Sequence, residues 1–185
     1  MKIMIYMAEN KNKAQKLVVV INGKGGVGKD SLCDAMKSAY LVKNISAITP
    51  IKKIAAQYGW HGEKDEKARR FLSDLKRVFV NYNDLPNRYL VDEYTEFLKS
   101  NCQVLFVHIR EIDQIEHFVS CVHTPCITLL IRRKAVDELQ QYGNESDDNV
   151  ALYPYDYYFD NDMPYEESGK EFIKFFDVIW SKIFP

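Results

Sequence analysis

The sequence has almost no net charge, because 25 Lys and Arg side chains oppose 26 Asp and Glu side chains. This balance excludes the global basic field that draws a protein to DNA or to an anionic membrane. The 185 residues also contain no apolar run of about 18 residues, the length that a membrane-spanning helix needs. We therefore expect no nucleic-acid partner and no membrane partner, and any recognition of phosphate must be local.

The sequence also lacks the marks of an exported protein. Its apolar start, residues 1–7, is too short for a signal peptide, and charged residues follow it closely. Four cysteines among 185 residues do not reach the density of a disulfide-stabilised secreted domain, so reduced thiols are the simplest interpretation. These absences favour a cytoplasmic location.

What the sequence does contain is an alternation of apolar strands and amphipathic helices. Three apolar runs, at residues 17–21, 104–109 and 127–131, have the pattern of strands covered on both faces, and the second is interrupted by His108. Shorter strand candidates lie at residues 45–48 and 155–159, and helical spacing recurs between the strands. Because strands separated by helices need crossover connections, we expect a three-layer α/β fold with a five-stranded parallel sheet.

This alternation also predicts the domain bounds and the place of the site. We expect one domain over residues 17–185, preceded by an N-terminal extension or edge strand over residues 1–16. Ligands of such sheets bind at the carboxyl ends of the strands. Functional residues should therefore follow the apolar runs directly.

A glycine-rich turn follows the first apolar run. Its spacing is that of a phosphate-binding loop: a Gly, four further residues, a second Gly and then Lys. Glycines let successive backbone N–H groups converge on phosphate oxygens, and the next helix points the positive end of its dipole at them. We therefore expect ATP to bind here, with the Lys29 ammonium on the β- and γ-phosphates. The residues concerned are Gly23, Lys24, Gly25, Gly26, Val27, Gly28, Lys29, Asp30 and Ser31.

The position after Lys29 departs from the usual pattern of this loop. A Ser or Thr there normally places its hydroxyl on a magnesium ion, whereas this sequence has Asp30. A carboxylate can bind Mg²⁺ directly or through water, but it adds negative charge near the phosphates. Ser31, one residue later, is the alternative source of a hydroxyl. The sequence predicts a Mg²⁺ site at Asp30 or Ser31 and leaves the choice open.

The loop resembles those of two protein families. Residues 24–29, Lys-Gly-Gly-Val-Gly-Lys, resemble the loop of the ParA/MinD partitioning ATPases, in which a signature lysine occupies the position of Lys24. Those proteins carry Thr or Ser at the position of Asp30 and an Asp-containing motif after a later strand. The corresponding strand here ends in His108-Ile109-Arg110 without that motif.

Residues 28–31, Gly-Lys-Asp-Ser, resemble instead the loop of the phage-type deoxynucleoside monophosphate kinases. Further resemblance to this group and to related bacterial proteins lies at residues 49–55, 59–70 and 156–162. The resemblance implies the nucleoside-monophosphate-kinase-like P-loop fold and transfer of the γ-phosphoryl group of ATP to an acceptor phosphate. One departure is His108, where the phage-type kinases often have Asp in an Asp-Val-Arg segment.

The same resemblance implies roles for three parts of the chain. Residues 50–100 would form an acceptor-side insert, and residues 133–150 would form a lid over ATP. Asn161, just beyond the last strand, would approach the adenine ring. Tyr58 and Trp60, at the turn within the insert, are candidates for stacking on an acceptor base.

Phosphoryl transfer between two phosphate-bearing molecules needs positive groups around the acceptor and the moving phosphoryl group. Arg110 follows the second long apolar run, and Arg132 and Arg133 follow the third. We expect Arg110, with Arg69 or Arg70 of the insert, to bind the acceptor phosphate. Arg132 and Arg133 would stabilise the transferred group, so Lys29, Arg110, Arg132 and Arg133 are the predicted catalytic residues.

The function predicted from these residues is transfer of phosphate from ATP, with Mg²⁺, to a nucleoside or deoxynucleoside monophosphate. Three alternatives stay open. The acceptor can be another small molecule, as in dephospho-coenzyme A kinases. The protein can be a nucleotide-switch ATPase of the ParA/MinD type, or a kinase-derived protein that binds nucleotide without turnover.

Overall fold

The strands of the protein form a five-stranded parallel sheet. The computed structural model describes residues 15–63, 65–137 and 150–185. Within them the sheet order is β2-β3-β1-β4-β5, which confirms the predicted α/β fold with five parallel strands. The strands are β1 (Leu17–Asn22), β2 (Val42–Ser46), β3 (Val104–His108), β4 (Cys126–Arg132) and β5 (Tyr157–Asp160).

Strand β1 lies at the centre of the sheet. It pairs with β3 on one side, Leu17 opposite Val104, and with β4 on the other, Val18 opposite Cys126. All six of its residues are buried, because neighbouring strands cover both edges and helices cover both faces. This position explains the uninterrupted apolar run in the sequence.

One face of the sheet is covered by helices α1 (Lys29–Met36) and α7 (Tyr165–Ile183). Phe172 and Phe176 of α7 are fully buried and contact the Phe106 ring of β3. Each such side chain contributes about 2–3 kcal/mol by burial. The two helices approach closely, since a Cβ added at Gly169 would lie 2.7 Å from the Cβ of Ala35. Helix α1, which follows the glycine-rich loop, is therefore fixed against the C-terminal helix.

The opposite face is covered by helices α4 (Leu85–Lys99) and α5 (Ile112–Cys121). Leu90, Phe97 and Phe118 are fully buried there against the alternate side chains of β1 and β3, which include Val18 and Val107. Helices therefore pack on both faces of the sheet, as the crossover argument predicts.

Helices α2 (Thr49–Gln57) and α3 (Glu66–Asn83) lie within the region predicted as the acceptor-side insert. Asp65 caps α3 by accepting a hydrogen bond from the Ala68 N–H, at 2.7 Å. Of the 18 residues of α3, only Ala68 and Leu72 are buried. Helix α3 is therefore held to the rest of the molecule by a small apolar contact.

Lys16, directly before β1, clamps the end of α4. Its Nζ donates to the carbonyl oxygens of Phe97, Ser100 and Cys102, at 3.0, 2.8 and 2.8 Å. The ammonium also lies 4.5 Å from the centroid of the Phe97 ring. Partial burial lowers the pKa of Lys16. The ammonium group lies at a helix C-terminus, where the helix dipole favours positive charge.

The edge strands differ most from the sequence prediction. The strand expected at residues 45–48 is found at Val42–Ser46. Its polar residues Lys43 and Asn44 are tolerated because, among the described residues, β2 pairs with β3 alone. The strand expected at 155–159 is found at Tyr157–Asp160. Apolar runs are weak markers of edge strands, since those strands bury fewer side chains.

Two predicted regions fall largely outside the described residues. The N-terminal extension over residues 1–16 lies there except for its last two residues, and the lid over 133–150 except for its two ends. Those ends are α6 (Lys134–Asp137) and a 3-10 turn (Val150–Leu152). Within the residues that the structure describes, no helix is both long enough and apolar enough to cross a membrane.

Candidate active site

The carboxyl edge of the sheet gathers residues predicted from sequence to be functional. The glycine-rich loop follows β1 at its centre, Arg110 follows β3, and Arg132 ends β4, with Arg133 next. Asn161 follows β5. Because these strands are parallel neighbours, the segments meet at one edge although they are far apart in sequence.

Two glycines of the loop occupy positions that a side chain could not. Gly23 has φ +143°, and a Cβ there would collide with the carbonyl oxygen of Ile131 in β4. Gly28 has φ +93°, and its Cβ would lie 2.6 Å from Asn161 Nδ2. Both combine a backbone conformation that favours glycine with a close approach of the protein. The loop is therefore shaped by its neighbours β4 and β5 as well as by its own sequence.

Lys29, the first residue of α1, turns back over the loop. Its Nζ donates to the carbonyl oxygen of Gly23 and, at 2.8 Å, to that of Lys24. The ammonium is thus held at the loop that the sequence predicts to bind phosphates. Phosphate oxygens can replace these carbonyls as acceptors, and charge-assisted hydrogen bonds of this kind are strong. Contact of Lys29 with ATP stays a prediction.

Asn22 is a site residue that the sequence argument missed. It is fully buried at the end of β1, where its Oδ1 accepts from the Gly23 N–H at 2.8 Å. Its Nδ2 donates to the Tyr155 hydroxyl at 2.8 Å and to the Arg110 carbonyl at 3.3 Å. Asn22 therefore ties the start of the loop to the backbone that carries Arg110. The one available signal was a polar residue immediately after the apolar run.

Asn161 braces the other end of the loop. Its side chain is buried, with Nδ2 donating to the Val27 carbonyl at 2.8 Å and Oδ1 accepting from the Ser168 hydroxyl at 2.6 Å. Ser168 is itself buried in α7. The structure thus places the Asn161 side chain beneath the loop, while the predicted approach to adenine stays a prediction.

The two predicted metal ligands lie at the exposed start of α1. The Asp30 side chain is 95% exposed, and Ser31 is also exposed. A carboxylate and a hydroxyl are hard oxygen donors that fit Mg²⁺, and they stand next to the lysine that faces the loop. Both positions therefore fit the predicted ion, and the choice between them stays open.

His108, at the end of β3, faces the same helix. Its Nδ1 lies 4.0 Å from Asp30 Oδ1, and its Nε2 lies 3.0 Å from Asn44 Oδ1. Burial lowers the pKa of His108 to about 4, although the nearby Asp30 carboxylate acts in the opposite direction. The imidazole is therefore neutral at pH 7, so it forms no ion pair with Asp30.

The predicted catalytic arginines differ in their surroundings. Arg132 forms a bidentate ion pair with Asp160 of β5, at 2.7 and 2.9 Å, and its guanidinium lies 5.1 Å from the Tyr158 ring centroid. Arg133 is half-buried, and its carbonyl accepts from the Val136 N–H at 2.9 Å. Arg110 is exposed. The geometry gives Arg132 a structural partner at the sheet edge, and the catalytic roles stay predictions.

The predicted acceptor-side residues lie on the exposed surface of α3 and at the α2–α3 turn. Arg69 and Arg70 are exposed on α3. Tyr58, Trp60 and Phe71 line a cavity of about 320 Å³ at the turn. Binding of an acceptor by either group stays a prediction.

A second contact that the sequence did not reveal joins α3 to the start of α5. Lys76 Nζ lies 2.6 Å from Glu111 Oε2 and 3.0 Å from the Oε1 of buried Gln114. Burial raises the pKa of Glu111, but the charge and hydrogen bond of Lys76, together with a backbone hydrogen bond and the charge of Arg110, lower the pKa overall. Because Glu111 follows Arg110 directly, this ion pair connects the helix that carries Arg69 and Arg70 to the end of β3.

Among the solved structures similar in fold to this protein are two that cover most of the chain. A presumed kinase from Chloroflexus aurantiacus has a TM-score of 0.53 at 10% sequence identity, covering 92% of this chain and 98% of its own. The shikimate kinase of Aquifex aeolicus has a TM-score of 0.52 at 12% identity, covering 88% and 96%. No protein-family model and no curated protein sequence matches the chain. The protein therefore has the α/β fold of these two proteins, and its chemistry must be inferred from its own residues.

Proposed function

We propose that this protein is an ATP-dependent small-molecule kinase that phosphorylates a nucleoside or deoxynucleoside monophosphate. The observation that carries the proposal is the position of Lys29, whose ammonium is held at a glycine loop directly after the central strand. Loop amides, the dipole of α1 and this ammonium would together form an anion site for the phosphates of ATP. The similarity in fold to kinases supports the same interpretation.

The residues around the loop supply the other requirements of phosphoryl transfer. Direct transfer needs positioning and charge stabilisation rather than a protein nucleophile. Lys29 and the loop amides would hold the phosphates of ATP, with Asp30 or Ser31 toward a divalent cation. Such a cation would neutralise charge on the β- and γ-phosphates.

Arg110 is the residue that we assign to the acceptor phosphate, with Arg69 or Arg70. The backbone of Arg110 is fixed to the start of the loop through Asn22. The residues that we assign to ATP and to the acceptor phosphate would therefore be held in a fixed relative position. The Tyr58–Trp60 cavity supports an acceptor with an aromatic base, since bases stack on such side chains at about 1–3 kcal/mol each.

Arg132 and Arg133 are the residues that we assign to the transferred group. The guanidinium of Arg132 forms two hydrogen bonds with Asp160, which would have to break before it could reach a phosphoryl group. Replacing Arg132 or Arg133 with Met should lower kcat by about 10²-fold or more. Lys37→Met, which removes an exposed lysine paired with Asp34, is the control and should leave kcat unchanged. An unchanged kcat in either arginine variant would contradict the assignment of that residue.

The experiment that tests the function is ADP release from ATP and a divalent cation, with candidate acceptors added one at a time. The common ribo- and deoxynucleoside monophosphates and dephospho-coenzyme A form the panel. We expect stimulation by a nucleoside monophosphate that is abolished by Lys29→Met. The matched control is Lys37→Met, since Lys37 is an exposed residue just after the same helix, paired with Asp34.

The other outcomes separate the alternatives. Stimulation by dephospho-coenzyme A alone would retain the kinase and reject the monophosphate acceptor. Acceptor-independent hydrolysis with nucleotide-dependent dimerisation would support a switch ATPase. ATP binding without any turnover would support a protein that has lost kinase activity.

A further inference from the structure

We propose that His108 and Asp30 jointly bind the divalent cation of the bound nucleotide, and that their mixed imidazole–carboxylate donor set makes the site prefer Co²⁺ to Mg²⁺. The inference rests on the proposed function, because the nucleotide supplies the remaining ligands. It adds His108 to the residues that contact the cation.

The register of the sheet places His108 beside the phosphate loop. In the β1–β3 pair, His108 is opposite Ile21, two residues before Gly23. Its ring faces the first turn of α1, with Nδ1 4.0 Å from Asp30 Oδ1. The imidazole therefore stands at the carboxyl end of the strand next to the loop, on the side where Asp30 projects.

The hydrogen bonds of His108 determine which nitrogen is available. Nε2 lies 3.0 Å from Asn44 Oδ1, and the Asn44 side chain also hydrogen-bonds to the Cys33 thiol. An amide oxygen only accepts, so Nε2 carries the proton and Nδ1 of the neutral ring carries a lone pair. That lone pair and the Asp30 carboxylate face one another as two acceptors, an arrangement that a cation between them would stabilise.

The distance between the two groups is compatible with shared coordination. Adjacent ligands of an octahedral ion with bonds of about 2.1 Å are about 3.0 Å apart. Asp30 is 95% exposed, so a change of its rotamer can shorten the 4.0 Å separation without disturbing the core. His108 stays fixed by Asn44, and Asp30 is the ligand that adjusts.

The chemistry of the donor pair sets the metal preference. Mg²⁺ prefers oxygen ligands, whereas imidazole nitrogen favours the later first-row ions, and Co²⁺ lies above Mn²⁺ and Fe²⁺ in that order. Within the described part of the chain no group of three or more His, Cys, Asp or Glu side chains is arranged to hold a metal. Two protein ligands alone bind weakly, so cation binding should depend on nucleotide phosphates.

The test is a titration of Co²⁺ into the full-length protein with a non-hydrolysable ATP analogue, followed by visible absorption and by competition with Mg²⁺. For the wild type we expect nucleotide-dependent binding. Its preference for Co²⁺ over Mg²⁺ should exceed that of the analogue alone by about tenfold or more. In His108→Asn the preference should fall to that of the analogue, and the absorption spectrum should lose its nitrogen-ligand contribution.

Two further variants keep the outcome interpretable. Asp30→Asn changes an exposed side chain and should weaken Co²⁺ binding about tenfold while leaving the fold intact. His117→Asn changes an exposed histidine of α5 and should leave the metal preference unaltered.

The failures of the two proposals are distinguishable. An unchanged metal preference in His108→Asn, with the analogue still bound, would overturn this inference and leave the kinase proposal standing. Failure of the wild type to bind the analogue at all would overturn the kinase proposal, and the inference with it.

Discussion

Lys16 and Lys29 stand at the two ends of the same central strand, and both ammonium groups donate to backbone carbonyls. Lys16 contacts three carbonyls at the end of α4 and the turn beyond it. Lys29 contacts the carbonyls of Gly23 and Lys24 in the glycine loop. The chemistry of the two contacts is the same, but their surroundings differ.

That difference separates a structural contact from one that the proposed function would use. The carbonyls around Lys16 lie at the end of a helix and just beyond it, where the dipole places partial negative charge. The carbonyls around Lys29 belong to the loop that we propose binds the phosphates of ATP, where a phosphate would displace them as acceptors. Carbonyl contacts alone therefore do not distinguish a clamp from a binding group.

The sharpest test of this comparison is Lys29→Met. Phosphoryl transfer should fall by about 10³-fold, because the positive charge that faces the phosphates is lost. The free energy of unfolding should change by less than about 1 kcal/mol, since the Lys29 ammonium hydrogen-bonds to the Gly23 and Lys24 carbonyls of the loop itself. Steady-state kinetics and urea unfolding measure the two effects, and a comparable loss of stability would break the distinction.

Lys16→Met should give the opposite result. Three carbonyls lose a charged donor, and we expect the free energy of unfolding to fall by about 2 kcal/mol. Transfer activity of the folded protein should be unchanged. Lys99→Met, which removes an exposed ion pair with Glu96 in the same helix, is the control and should cost less than about 0.5 kcal/mol. Equal effects of the two variants in urea unfolding would show that Lys16 is no clamp.

Asn161→Ala should affect both properties, because Asn161 links the loop to α7. The variant loses the hydrogen bonds of Asn161 to the Val27 carbonyl and the Ser168 hydroxyl. We expect a loss of about 1–2 kcal/mol in stability and about a tenfold weaker affinity for an ATP analogue, measured by calorimetry. Asn81→Ala, on the exposed surface of α3, should change neither. Weaker stability with unaltered affinity would contradict the bracing role.

The ammonium of Lys76 differs from those of Lys16 and Lys29, because its partner is the carboxyl group of Glu111, which can be protonated. The lowered pKa of Glu111 means that the folded protein favours the carboxylate. The ion pair therefore stabilises the fold above the unfolded glutamate pKa of about 4.3, and this contribution disappears as the pH falls through the lower folded value.

Lys76→Met should accordingly lower the free energy of unfolding by about 1 kcal/mol at pH 7 and by much less at pH 3. Lys16→Met, whose partners are carbonyls, should show the same loss at both pH values. Urea unfolding at the two pH values measures this, and a pH-independent effect of Lys76→Met would contradict the assignment.

The sequence predicted those parts of the molecule that depend on local pattern. Continuous apolar runs identified β1, β3 and β4, because these strands are buried on both faces. The loop was identified by the spacing of Gly23, Gly28 and Lys29, which reflects backbone geometry within one short segment. Both the buried strands and the loop are determined by residues that are adjacent in sequence, so a local pattern is enough to identify them.

The remaining contacts depend on residues distant in sequence. Asn22 and Tyr155 are separated by 133 positions, and Asn161 and Val27 by 134. No local sequence pattern around Asn22 or Asn161 indicates which residue it contacts. The predicted position of edge strand β2 was wrong by a few residues for a related reason. The bounds of β2 are determined by its pairing with β3, and not by an apolar run in its own sequence.

The order of strands in the sheet has a consequence for folding during synthesis on the ribosome. The loop is encoded near the start of the described chain, yet the carbonyl that packs on Gly23 belongs to residue 131, and the amide that packs on Gly28 belongs to residue 161. During synthesis the central strand must wait for both of its neighbours. If the loop binds nucleotide as we propose, nucleotide cannot help the early segments to fold, and the capacity to bind it should arise only when the last strand has emerged.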